Sequence, residues 1–489
     1  MKINFGGGDE GVVTRQEFTL DDAIDALKGQ KIGFEGYGSQ GPAQSQNLRD
    51  SLKDHNIPVF VGQRKRFSKP GDKRLTGWEN ALKDGWEPGK NLFSIEEAAD
   101  RATIIAYLTS DAGQRDSWPS IERYVEPGKM LYFSHGFGMH FNQLTGIKPR
   151  EGVDVGMIAP KGAGLSVREN YLNGLGINAS FAVARNFSGR ALEKTLAMGR
   201  GIGAAYMLET TFRDEVVSDH FGERAFLLGE VWALAEAAYD TLRQKNKIDP
   251  REAFINSSEQ ITQVILPLIG QSGAAEIYRQ AQEAGHLGTV LQYKKMIRNS
   301  TQPLLNRLYK SVEDGIEAKI ALDSNSQPDY DLKLAAEYTP INKSEMWTTG
   351  REIRAQLRDR TYGMKITNFA LAGAILGAIE AQYQTLIDHG HRVSEAINET
   401  VEEATESLNR FYQREGVSHL LGACSTTAQR GALDWGPRFK AIILPQFLDS
   451  RERYPGDFIV APNYTSTVPN VWNAAKINRG LRPGNQRAA

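Results

Sequence analysis

Apolar and polar positions divide the chain into two parts of different rhythm. From Lys31 to about Val183, short β-rich runs (IGFEGYG, IPVFVGQ, TIIAYLTS, KMLYFSHGF, VDVGMIAP, ASFAVARN) alternate with stretches of helical length. That alternation predicts a parallel sheet wound with crossover helices. After Arg185 strand signals nearly vanish, and segments such as RALEKTLAMGRGIGAAYMLE and AFLLGEVWALAEAAYDTL place their apolar residues at helical spacing. An all-helical region of roughly 300 residues is therefore expected. Its most apolar stretch, Phe369 to Ile379, is 11 residues long. A bilayer needs ~20, so the stretch reads as a buried helix.

The helical region repeats itself. Glu236, Ala237, Tyr239, Thr241 and Leu242 of EAAYDTL recur 144 positions on as Glu380, Ala381, Tyr383, Thr385 and Leu386 of EAQYQTL. One residue is then lost, and at an offset of 143 the run Arg251 to Gln263 lies over Ser394 to Glu406, matching Glu252 with Glu395 and Glu259 with Glu402. Further on, Met346-Trp347 with Leu357-Arg358 is echoed by Val471-Trp472 with Leu481-Arg482. The second copy lacks a counterpart of DSNSQPDYDLK and is shorter. Two helical units that each bury one face most simply pack against each other as a pseudo-dimer.

Gly36, Gly38 and Gly41 of GYGSQG directly follow the strand KIGFE and open a helix. Glycines there permit a tight turn and let backbone N–H groups and the helix N-terminus approach a pyrophosphate. Pro42 suits the first helical turn, where its missing N–H costs nothing. An NAD site carries an acid roughly 20 residues on, after the second strand. This chain has Arg64, Lys65 and Arg66 there, with Lys73, Arg74 and Thr76 as further donors. A cationic cluster in that place favours a 2′-phosphate, hence NADP(H), although a solvated surface loop has the same composition. The predicted fold is an α/β Rossmann-type domain over residues 1–185, followed by an all-α, internally duplicated domain with copies at 186–345 and 346–489.

Composition narrows the chemistry. The 489 residues, 40% hydrophobic and 24% charged, are those of an ordinary globular protein of two to four domains. With 58 basic and 59 acidic residues the net charge is -1, so no global field draws the chain to nucleic acid or to an anionic membrane. A single cysteine, Cys424, excludes an internal disulfide and a cysteine-based metal site, which fits a reducing compartment. The opening MKINFGGGDEGVVTRQEF shows neither a secretory nor an organellar address, and a cytoplasmic protein is expected.

Asp219 and Glu223 in SDHFGER, and Glu399 and Glu403 in NETVEEATE, are spaced i, i+4. On a helix this stacks two carboxylates on one face, an unfavourable pairing unless solvent or a cation intervenes. Most such pairs are solvated faces. The repeat changes the reading, because the partners of Glu399 and Glu403 in the first copy are Asn256 and Gln260, and those of Asp219 and Glu223 in the second are Gly363 and Thr367. Each copy keeps one acidic pair and lacks the other, as expected if two composite sites were made by fusion and one was lost. All four carboxylates are then predicted to converge. Four hard oxygens without cysteine suit Mg²⁺ and provide enough ligands for two ions.

These blocks together resemble ketol-acid reductoisomerase in its long form with a duplicated helical domain: GYGSQGPAQSQNLRDS, the basic run after GQR, YLTSDAGQ, YFSHGF, APKGAGLSVR, TTFRDEVVSDHFGER, NETVEEATESL and CSTTAQRGALDW. The resemblance implies conversion of 2-acetolactate or 2-aceto-2-hydroxybutyrate to 2,3-dihydroxy-3-methyl acids, in valine and isoleucine synthesis. A magnesium-assisted alkyl migration precedes hydride transfer from NADPH. It also implies NADPH and two Mg²⁺ as cofactors, and a knot in the helical domain. Carried over by motif, Asp219 resembles the carboxylate that bridges the two ions, with Glu223, Glu399 and Glu403 as the other acids. Glu223 or Glu403 is also a candidate for proton transfer. Lys161 resembles the lysine that helps move the proton of the tertiary alcohol, His135 the histidine beside the nicotinamide, and Ser425 the serine that holds the substrate carboxylate. Gly36, Tyr37, Gly38, Ser39, Gln40, Gly41, Arg64, Arg74, Thr76, Asp111, Gln114, His135 and Gly162 would line the cofactor.

By themselves, His135 after an apolar strand is equally the pattern of a core histidine, and Lys161 that of a loop lysine. Cys424 reads as a buried small residue, and Ser425, with no nucleophile elbow around it, as a binding hydroxyl; its counterpart in the first copy is Gln282. Two other functions stay open. An NADP-dependent β-hydroxyacid dehydrogenase would need no divalent ion, and a catalytically inactive NADP-binding protein would have no reason to keep Lys161, Asp219, Glu223 and Glu403 together. The substrate is a small molecule in either enzymatic reading, with neither nucleic acid nor membrane as partner. Duplication removes the need for a dimer to complete the site without forbidding a homo-oligomer.

Overall fold

The computed structural model describes residues 1–68, 75–356, 363–415, 424–449 and 470–483. The chain forms two compact units, one built mainly from Met1–Asn4 and Gly8–Val216, the other from Val217–Asn478.

The first unit holds a ten-stranded sheet. In chain order the strands are β1 Lys2–Asn4, β2 Asp9–Thr14, β3 Ile32–Glu35, β4 Val59–Gly62, β5 Leu92–Phe93, β6 Ile104–Tyr107, β7 Met130–Phe133, β8 Asp154–Pro160, β9 Ala179–Arg185 and β10 Tyr206–Glu209. They lie side by side as β1-β2-β10-β9-β8-β7-β6-β3-β4-β5. From β5 to β8 all neighbours are parallel. This is the doubly wound order of a dinucleotide-binding fold, with winding reversing between β3 and β6. Helices cover both faces: Leu27, Leu48, Leu52 and Trp78 pack on one, Ile95, Ala98, Trp118 and Ile121 on the other.

Beyond β8 the sheet departs from the expected all-parallel pattern. The chain leaves β8 through one short helix, Gly164–Leu172, and turns back beside it, so β9 pairs antiparallel with β8. The run YMLE, within what reads as helix, forms β10 parallel to β9. Four residues between two helices, three of them apolar, carry too little periodicity to be told from either. The N-terminal β2 pairs antiparallel with β10.

Every described secondary-structure element of the second unit is a helix. The predicted buried helix is there as Phe369–Asp388. It packs against Leu287–Glu313 through Gly373 and Gly377, where an added Cβ would lie 2.3 Å from the Val290 carbonyl oxygen and 2.4 Å from that of Lys294. No helix among the described residues is long and apolar enough to cross a membrane.

The repeat is visible as paired contacts. In each copy a glutamate accepts an indole N–H and a lysine ammonium. Glu236 takes them from Trp347 at 3.0 Å and Lys440 at 2.9 Å. Glu380 takes them from Trp472 at 2.9 Å and Lys294 at 2.8 Å. Lys440 belongs to the second copy and Lys294 to the first, so each copy lends a long helix to the other, as a pseudo-dimer requires. The matched segments Ile255–Ile265 and Asn398–Leu408 are both π-helical. Such turns are rare and frequently mark functional sites.

Candidate active site

The turn after β3 obeys strict steric limits. Gly36 has φ +108°, and a Cβ on it would meet the Thr109 nitrogen at 2.7 Å; a Cβ on Gly41 would lie 2.1 Å from the Gly36 carbonyl oxygen. Gly38, in contrast, faces open space. That is the opening a pyrophosphate needs to reach backbone N–H groups. Gly38→Ala is therefore expected to leave Tm unchanged and to lower nicotinamide cofactor affinity at least about tenfold. Fluorescence titration checks this, and an unchanged affinity would remove the loop from the cofactor site.

Two neighbouring loops dock on this turn. Gln40 Nε2 donates to the Gly162 carbonyl at 2.9 Å, and Gly164 lies so close to Ser39 that a Cβ would sit 1.9 Å from its carbonyl oxygen. Gln44, one turn into the helix Gly41–Leu52, donates to the Ser134 hydroxyl at 2.6 Å. The glycine turn, the PKG loop and the SHGF loop thus meet at the carboxyl ends of β3, β8 and β7.

There the structure assembles a group that sequence reasoning did not foresee. Glu215 Oε2 lies 3.1 Å from His135 Nδ1 and accepts the Gly136 N–H at 2.6 Å, while Lys161 Nζ donates to Oε1 at 3.4 Å. Lys161 is 1% exposed. Burial alone would raise the Glu215 carboxyl, but the charges of His135 and Lys161 and the two hydrogen bonds hold it down at about 2. The signal was present in the sequence: Glu215, Asp219 and Glu223 recur every fourth residue along the helix Phe212–Arg224.

In the second unit, carboxylate oxygens of Asp219, Glu399 and Glu403 lie within 4.8 Å of one another. Glu399 is fully buried. Glu223, one turn beyond Asp219 on the same helix, is not part of this group of three, so the structure gathers three of the four expected carboxylates this closely. Burial pushes the Cys424 thiol well up, and the charges of Glu223, Glu403 and Asp219 push it the same way. Three carboxylates this close repel strongly unless a cation lies among them, and an all-oxygen donor set suits a hard ion such as Mg²⁺. The residues fit the group.

At the corresponding place in the other half of the repeat, amides stand where the acids would be. Thr367 donates its hydroxyl to Asn256 Oδ1 at 2.6 Å and its N–H to Gln260 Oε1 at 3.0 Å. Gly363 lies in a turn and Thr367 in a bend, so among the described residues neither counterpart of Asp219 and Glu223 is on a helix. Both hydrogen bonds join neutral groups.

The profile "Acetohydroxy acid isomeroreductase, NADPH-binding domain" matches residues 26–207, and "Ketol-acid reductoisomerase, C-terminal domain" matches 212–359 and 368–449. The chain belongs to the ketol-acid reductoisomerase family. It is similar to "Ketol-acid reductoisomerase (NAD(+))" of Desulfosudis oleivorans, with 43% identity over 72% of this chain and 96% of that one. To the chloroplastic ketol-acid reductoisomerase of Pisum sativum it is 34% identical over 99% of this chain and 82% of the relative. The solved NADH-preferring ketol-acid reductoisomerase from an uncultured archean matches 71% of this chain and 98% of its own, with 30% identity and a TM-score of 0.61. As a ketol-acid reductoisomerase, the chain is an oxidoreductase with isomerase activity in branched-chain amino-acid synthesis, using a nicotinamide cofactor on a small molecule.

The remaining expected residues divide by how they are engaged. Tyr37 turns its side chain away from the glycine turn: its hydroxyl donates to Asp84 at 2.7 Å and accepts from Trp86 at 2.9 Å, and its N–H is bound by Gln63. It shapes the turn. Gln114 is buried, its amide donating to the Tyr107 and Thr109 carbonyls, and Asp111 stands in the first turn of the same helix. Thr76 caps the helix Gly77–Lys83 together with Glu79, and its hydroxyl donates to the Arg66 carbonyl at 2.7 Å. Arg64 is exposed on the loop after β4, and Arg74 lies outside the described residues. Ser425 caps the helix Thr426–Asp449, accepting the Ala428 N–H at 3.0 Å.

Proposed function

We propose that this reductoisomerase converts 2-acetolactate or 2-aceto-2-hydroxybutyrate to the 2,3-dihydroxy-3-methyl acid with Mg²⁺ and NADPH. The observation that carries the reading is the convergence of Asp219, Glu399 and Glu403 from distant parts of the chain. Those carboxylates, with Glu223, would hold Mg²⁺, which when bound polarises the substrate's neighbouring oxygens and stabilises developing alkoxide charge.

The chain's own groups supply the remaining work. In the isomerisation the tertiary hydroxyl loses its proton and becomes a carbonyl, the alkyl group moves to the adjacent carbon, and the former carbonyl becomes the tertiary alcohol. Hydride and a proton then reduce the new carbonyl. Lys161, paired with the Glu215 carboxylate, is suited to stabilise negative charge on oxygen and to exchange protons with it. Glu215 also fixes His135 through Nδ1. Ser425 already accepts one N–H, and its hydroxyl proton remains to be donated to a substrate carboxylate.

NADPH oxidation with 2-acetolactate, measured with Mg²⁺ and again with EDTA, tests this. Activity that survives chelation overturns the metal assignment. For the cofactor, the cationic run at Arg64 and the lack of an acid there support NADPH, whereas two relatives are named for NAD(H). Arg64→Ala is expected to weaken NADPH by about 10- to 100-fold, the value of one charge-assisted hydrogen bond, and NADH hardly at all. Equal losses in fluorescence titrations would refute the 2′-phosphate role.

A further inference from the structure

We infer that Gln382 sets the distance between the two carboxylate pairs, one side-chain amide holding both of the backbones that carry them; this rests on the divalent-cation reading above. Gln382 is fully buried in the helix Phe369–Asp388. Its Oε1 accepts the Phe226 N–H at 2.6 Å, and its Nε2 donates to the Glu399 carbonyl at 2.6 Å. Phe226 follows the acidic helix directly: Ala225, at φ -92° and ψ -124°, breaks helical geometry and turns the Phe226 N–H out of register. Gln382 takes up that donor. At its other end it holds a peptide of the π-helical segment that carries Glu399 and Glu403.

Two further observations support the role. The same two segments approach each other at Gly222, between Asp219 and Glu223, where an added Cβ would lie 3.3 Å from the Glu399 carbonyl oxygen and 3.4 Å from its Oε2. Any relative slip of the segments is therefore felt at the acids. The repeat also isolates the amide. Gln382 corresponds to Ala238 in a motif whose Glu, Ala, Tyr, Thr and Leu are kept in both copies. The bridging side chain is present only where it reaches the surviving acids.

The test compares Gln382→Met, close in volume but unable to bridge, with Gln260→Ala, which removes the hydrogen bond from the Thr367 N–H in the half of the repeat that carries amides in place of acids. Mn²⁺ binding to the substrate-free protein is followed by electron paramagnetic resonance, NADPH binding by fluorescence, and Tm alongside. Gln382→Met is expected to lose about 10- to 100-fold in Mn²⁺ affinity, as is typical when a group supporting metal ligands is removed, with NADPH affinity unchanged. Gln260→Ala is expected to lower Tm while keeping Mn²⁺ affinity. If Gln382→Met lowers Tm alone, Gln382 is a packing residue and the inference falls. Should that variant fail to fold, Gln382→Asn, one methylene too short to reach both partners, must show the same loss of Mn²⁺ affinity or the inference falls equally. Absence of Mn²⁺ binding by the unaltered protein would instead overturn the cation reading itself.

Discussion

Asp219→Asn is expected to reduce turnover of the ketol acid at least about a thousandfold while the nicotinamide cofactor still binds. The size follows from the several kcal/mol of charge stabilisation that a bound cation contributes, at ~1.4 kcal/mol per factor of ten. The effect on stability should change sign with metal. Without a divalent ion, three carboxylates within 4.8 Å oppose folding, so removing one charge raises Tm. With Mg²⁺ added, the unaltered protein gains stability by binding and the variant gains little. Calorimetry with and without Mg²⁺, beside steady-state rates, measures both. A variant with normal turnover, or with the same response of Tm to Mg²⁺, would mean that these acids hold no ion.

Glu215→Gln is expected to be the most damaging change in the first unit. It takes the carboxylate from a lysine that is 1% exposed, and breaking a buried ion pair costs about 3 to 5 kcal/mol. Turnover should fall by roughly 10²- to 10⁴-fold, the usual contribution of a placed acid–base group. The pH dependence has a definite sign. The folded-state value of about 2 lies below the ~4.3 of an unfolded glutamate, so Glu215 stabilises the fold above about pH 4.3 and this contribution is lost as pH falls toward about 2. Subtracting the urea unfolding free energies of the variant from those of the unaltered protein isolates this group from other carboxylates. The difference should shrink between about pH 4.3 and 2; a constant difference would mean that Glu215 is not ionised in the fold.

Much of the architecture was legible because it depends on local pattern. GYGSQG could be read through its flanking strand and helix, and the duplication through co-linear matches that the Glu236 and Glu380 contacts reproduce. Other features were hidden for physical reasons. The π-helical turns of Asn398–Leu408 shift backbone hydrogen bonds by one residue without altering which side chains are apolar. Antiparallel β9 has the same β-rich composition as a parallel strand. Glu215 continues the spacing of Asp219 and Glu223, yet an acid on a helix gives no sign that Lys161, far back in the chain, lies opposite. Tyr37 sits inside the cofactor motif, yet its side chain belongs to a network with Asp84 and Trp86.

The sequence alone determined the class of each part and the inventory of its chemistry: a nucleotide-binding α/β unit, a doubled helical unit, and acids kept in one half-site of each copy. These follow from periodicity, turn residues and repetition, all of which are local. Only the tertiary structure decided which groups meet. Helix packing at Gly222 and one amide at Gln382 bring together residues that the chain keeps well over a hundred positions apart. No local preference encodes such a distance, because it is set by close-packed backbones whose contacts are made only once the whole unit has folded.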